Sequence, residues 1–258
     1  MRAPSYLFAA LVLLVGCGDA AVTDGREVAF TLAAESMSAG EGGPPVIVTR
    51  TGWTVTLEEA AVAIGPVYLL TEPPPSARRG RLLDWIVPRA WAHSGFEHFD
   101  GGEVRGEYLG RFVIDAVRPG LQAIAAARGL AGRVRSVNLE LQPPAADAPS
   151  LRGHQAFVRG IAARGDETIP FEGGLDLPDA GAGRKVAGIP ADVELDDGVT
   201  VVIELHPERW LAEADFSALP APPGGDERRR IAPGTQPHDA WALGVRAYGT
   251  FTLRGERP

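Results

Sequence analysis

The chain has 258 residues, a formal net charge of −8, a 45% hydrophobic composition and a single cysteine. That length allows one large domain or two small ones, and the acidic balance excludes a nucleic-acid partner, which needs a positive surplus on one face. One cysteine excludes an internal disulfide, so an exported form has to rely on its own apolar core.

In chain order, Met1-Arg2 places positive charge ahead of an apolar run over residues 6–16. The run is too short to span a bilayer, which takes ~20 residues, and fits the apolar part of a secretory signal. It closes on Leu14-Val15-Gly16-Cys17, which resembles the lipobox of bacterial lipoproteins. The resemblance implies cleavage before Cys17, a lipid on its thiol and attachment to the cell envelope. Gly18 stands where an aspartate retains such proteins in the inner membrane of enteric bacteria, so the resemblance points to the outer membrane, facing the periplasm. The expected organisation is a signal peptide over 1–16, a lipidated tether over 17–25 and one β domain over 26–258.

From residue 27 onward the pattern has the period of two of half-buried strands. Val28, Phe30 and Leu32 alternate with smaller or polar neighbours, as do Trp53, Val55 and Leu57. Residues 60–70 are denser in apolar side chains, and Gly65-Pro66 within them predicts a bulge or an edge, since proline cannot donate to a ladder. Residues 78–91 are arginine-rich and fit a short amphipathic helix broken at Pro88; residues 93–102 read as a glycine-containing loop. Further strands are expected near 107–117 and 133–141. Two hairpins follow: 155–162 with 168–177 about Arg164-Gly165-Asp166, and 186–195 with 199–205 about Asp196-Asp197-Gly198. Residues 220–237 read as a loop and 241–253 as a last strand. About ten short strands with little helix predict an all-β fold, a single antiparallel β-sandwich.

Standard catalytic motifs are missing, and a lipidated Cys17 excludes a cysteine nucleophile. The densest polar cluster is His93-Ser94-Gly95-Phe96-Glu97-His98-Phe99-Asp100. His93 and His98 diverge on a strand or a helix and reach one ion only from a loop. Two readings stand: a solvated loop, or a copper or zinc site with His93, His98 and Asp100 as ligands. His154, His206 and His238 are isolated and read as surface or strand-end groups. Arg164-Gly165-Asp166 is explained as a turn. Glu58 and Glu59, adjacent on a strand, are expected on opposite faces, which argues against a paired acid and base. Trp53 and Trp241 are expected in core strands, and Trp85 and Trp91 in an exposed patch.

Phe157-Val158-Arg159-Gly160, Ile169-Pro170-Phe171 and residues 199–205, followed by Trp210 and Asp215-Phe216, resemble the β-rich extracytoplasmic proteins found beside methanobactin operons. The resemblance covers about a quarter of the chain and implies an exported β-sandwich that handles copper with a partner protein. No ligand position carries over. Three functions follow: a lipid-anchored binding or structural module, favoured over an enzyme by the missing motifs; a copper- or zinc-binding envelope lipoprotein; and an envelope hydrolase with dispersed carboxylates. The expected partners are the membrane, through the lipid, and an envelope protein.

Overall fold

The alternation after Trp53 becomes the first half of β3 (Thr54–Leu70), a strand of 17 residues that organises the molecule. The computed structural model describes residues 25–37, 44–74, 102–143, 148–178, 181–222 and 228–257. Ahead of β3 lie β1 (Glu27–Ser36) and β2 (Val46–Val48). After it come β4 (Val104–Tyr108), β5 (Phe112–Asp115), β6 (Gln122–Leu130) and β7 (Gly132–Leu141). The hairpin β8 (Ala156–Arg164) and β9 (Glu167–Leu175) follows, then β10 (Lys185–Leu195) and β11 (Thr200–Leu205). β12 (Arg229–Arg230), α1 (Gln236–Gly244) and β13 (Phe251–Glu256) complete the order.

The fold is all-β, as expected, and forms one large mixed sheet. The hydrogen-bonded path runs β12-β9-β8-β3-β4-β6-β1-β11-β13, with β10-β7 branching from β3. Among the described strands only β1–β11 and β12–β9 pair in parallel. β3 serves several neighbours because two bulges re-aim it, one between Leu57 and Glu59 and one between Ile64 and Val67. The second holds Gly65-Pro66, where a bulge was expected. Gly65 has a φ of 133°, and a Cβ there would collide with the Gly110 carbonyl, so only glycine fits.

The inner face of the sheet forms one continuous apolar cluster that includes residues from β1 through β13. Trp53, Trp210, Trp241, Phe171, Phe216 and Phe251 are its largest fully buried side chains. Each contributes about 1.5–3 kcal/mol relative to exposure. Phe216 sits 4.7 Å from Phe171 and 5.9 Å from Trp53, ring centroid to centroid. Phe171 and Phe216 both belong to the stretches that resemble the methanobactin-operon proteins, and here they pack on each other in the core.

Three expectations change. Residues 186–195 and 199–205 are strands but not a hairpin: β10 pairs with β7, and β11 with β1 and β13. Arg26 binds Asp196 at 2.7 Å and Asp197 at 3.0 Å, and Asp197 accepts from the Ala29 amide at 2.9 Å, so the turn docks on the start of β1 and redirects the chain. The alanine-rich β6 was not anticipated, because its alternation has little hydrophobic contrast. Residues 236–244 are helical where a loop and a strand were expected. Pro237 lies in the first turn after the cap residue Thr235, with Asp239 also in that turn; these are start signals for a helix. Trp241 is still core, but on α1 and at 0% exposure.

Candidate functional site

The bulge after Leu57 turns Glu58 outward beside Glu59, so the two carboxylates share a face, contrary to the alternation expected of them. Both meet Arg159 of β8, Glu58 at 3.6 Å and Glu59 in direct contact. Register extends the row: Glu59 is opposite Arg159, Arg159 opposite Glu172 of β9, and Glu172 opposite Arg230 of β12. Four neighbouring strands therefore present alternating charges in one line across the outer surface. Arg228 adds a bond to Glu58 at 2.8 Å. Each such half-exposed pair contributes ~0–1 kcal/mol, so the row matters more for where it aims its charges than for stability.

Above the row, the chain enters β8 through a 3₁₀ turn, Pro149–Leu151, that ends on Arg152 at φ 48° and ψ 32°. Arg152 is the one non-glycine residue with positive φ among the described residues. Its guanidinium reaches Glu59 at 2.9 Å and Glu172 at 3.5 Å, and lies 4.5 Å from the Phe157 ring centroid. His154 follows, with Nδ1 2.7 Å from Asp176 Oδ2. A carboxylate only accepts, so the Nδ1 proton donates and the ring orientation is set. The ring packs against Gly174, where an added Cβ would collide with its atoms. Gln155, 3% exposed, accepts from the Leu177 amide at 2.8 Å and extends the β8–β9 ladder through its side chain, anchoring the segment that carries Arg152 and His154.

These groups border a cleft of about 350 Å³ between the entry to β8, the end of β9 and the exit of β12. Arg152, His154 and Arg230 supply its basic groups, and Ile231, Ala232 and Pro233 an apolar wall. Glu172 is held by Arg152, and Asp176 by His154. Arg230 is exposed and, among the described residues, makes no ion pair or side-chain hydrogen bond. The cleft thus offers one uncommitted guanidinium beside an apolar wall.

A second polar concentration lies on β1, β11 and β13. Arg254 binds Glu35 at 2.5 Å, Glu204 at 2.6 Å and Glu256 at 2.8 Å. Burial opposes ionisation of Glu204, but bonds from Thr252 and Arg254 outweigh it and hold its carboxyl below the usual range. His206 bridges Glu208 and Thr252, at 3.0 Å each. Asp215 accepts from Ser217 and from the Trp53 indole, and these bonds hold its carboxyl below the ordinary value. In both charged groups the carboxylates meet a guanidinium, Arg159 in one and Arg254 in the other.

Among the described residues no three histidine, cysteine, aspartate or glutamate side chains gather as a metal site. His93, His98, Asp100, Trp85, Trp91 and Cys17 all lie outside the described residues. His154 sits at a strand entry, as expected, and Gly165-Asp166 form the β8–β9 turn. Sequence reasoning passed over Arg152 and Arg230. The signal available was Arg152-Gly153 at the foot of a proline-led turn, and Gly173-Gly174 in a strand, where missing side chains mark a close approach. Among the described residues no helix is long and apolar enough to cross a membrane.

No protein-family model matches the chain, and no curated protein matches it. Among solved structures it is similar to MbnP from Methylosinus trichosporium, at 11% identity and a TM-score of 0.41, over 89% of this chain and 98% of that one. At that distance no residue role passes between the two chains.

Proposed function

We propose that this chain is an exported, lipid-anchored binding protein of the cell envelope, with the lipid on Cys17, one β domain over residues 26–258, and the cleft beside Arg152 as its ligand site. The observation that carries the reading is the Arg152 backbone. A left-handed conformation costs a non-glycine residue ~1–2 kcal/mol and persists where the surroundings over-determine it, as at ligand clamps. Here Glu59, Glu172 and Phe157 hold the guanidinium over the cleft mouth. His154, oriented by Asp176, lines the same cleft, and the uncommitted Arg230 supplies its one open positive group. The sequence Leu14-Val15-Gly16-Cys17 supports the anchor, and Gly18, in place of an aspartate that would retain it in the inner membrane, supports the outer membrane, facing the periplasm. Nuclear magnetic resonance of the histidine rings tests the site: small organic anions should shift His154 saturably and leave His206 unmoved. Equal shifts of both rings, or none, would reject the cleft as the site.

A second reading rests on the density of the 93–103 segment, with two imidazoles and the carboxylates of Glu97, Asp100 and Glu103. In it His93, His98 and Asp100 hold copper(II) or zinc, copper the more tightly. Binding weakens as pH falls through ~6.5, because a protonated ring cannot ligate. Calorimetric titration of the parent and a His93→Ala/His98→Ala variant decides it: equal uptake by the two rejects those ligands.

A further inference from the structure

We infer that the cleft binds a small monocarboxylate with a short apolar body, its carboxylate forked on the Arg230 guanidinium. This deepens the binding reading above and rests on the cleft being the ligand site.

The charge of the ligand follows from what the lining groups already hold. Arg152 is shared between Glu59 and Glu172, and His154 is bonded to Asp176. Arg230 stands in register with Glu172 across the β9–β12 pair, but Glu172 is taken up by Arg152. One guanidinium is therefore open to the ligand, and a fork of two parallel N–H donors matches a planar carboxylate. Glu172 lines the same space, and its oxygens disfavour a second negative charge beyond the one Arg230 meets, which counts against phosphate and dicarboxylates.

The apolar body follows from the remaining wall. Ile231, 2% exposed, stands over Gly173, where an added Cβ would strike it. Ala232 and Pro233 continue the wall, and Phe157, beneath the Arg152 guanidinium, also lines the cleft. About 350 Å³ is at the low end for ligand pockets, so the body is short.

The test uses the full chain, purified from membranes in a non-ionic detergent, with pentanoate, its uncharged analogue pentanamide, and inorganic phosphate as probes. Calorimetry gives the affinity, and the His154 ring signal reports the place. Pentanoate should bind and shift His154; pentanamide should bind at least about tenfold more weakly, because a charge-assisted fork is lost. Arg230→Gln should weaken pentanoate about tenfold, and Arg230→Lys should recover part of the loss through charge alone. Phosphate should bind more weakly than pentanoate. If pentanamide or phosphate matches pentanoate, or Arg230→Gln leaves it unchanged while His154 still shifts, the carboxylate assignment is overturned and the cleft remains the ligand site. If no probe moves His154, both fall.

Discussion

Arg152 joins the backbone to the candidate site most directly. Its φ of 48° suits glycine, and its side chain is held by two carboxylates and an aromatic face. Arg152→Ala keeps the backbone cost and loses those contacts, so it should destabilise by about 1–2 kcal/mol. Arg152→Gly loses the same contacts but removes the backbone cost, so its urea midpoint should lie above that of the alanine variant. Equal midpoints would mean the left-handed backbone stores no strain. Little of the site could be read from neighbouring residues. Arg152 and His154, Glu172, and Arg230 come from three separate places in the chain, and each alone resembles an ordinary surface group. Glu58 and Glu59 misled because one extra residue in a strand reverses the face of everything after it, and alternation does not record such an insertion.

β3 shows what was legible among the elements and what was not. Its alternation and the break at Gly65-Pro66 were plain in the sequence, and so was the β8–β9 hairpin. Its role as a hub was not, because pairing partners are set by long-range packing that local pattern does not encode. The same limit misassigned β10 and β11: Asp-Gly turn chemistry was present, but the turn docks on Arg26, some 170 residues earlier in the chain, and β10 and β11 pair with other strands. The bulge at Gly65 lets β3 pair with β4 and β7 beyond it as well as with β5 and β8 before it. Gly65→Ala would force a Cβ onto the Gly110 carbonyl at φ 133°. It should cost about 2 kcal/mol or more and lower the midpoint of unfolding as a whole. A parent-like midpoint would show that the loop around Gly110 yields and that the bulge does not set the geometry of β3.

The whole molecule is proposed as a β body on a lipid tether. One continuous core draws on both ends of the sheet, so calorimetry should show a single transition; two separated transitions would divide residues 26–258 into independent units. Fold class was legible at this scale because strand alternation and Gly/Pro punctuation recur along the chain. The mixed sheet was not, since the two parallel pairings join strands far apart in sequence. The tether rests on four residues that end at Cys17, and intact-mass spectrometry of the chain extracted from membranes addresses it in one measurement. The expected mass is that of residues 17–258 plus a diacylglycerol and any amide-linked acyl chain on Cys17, with no full-length species. A chain that still begins at Met1, or one that begins near Cys17 without lipid, would contradict the anchored binding protein proposed here.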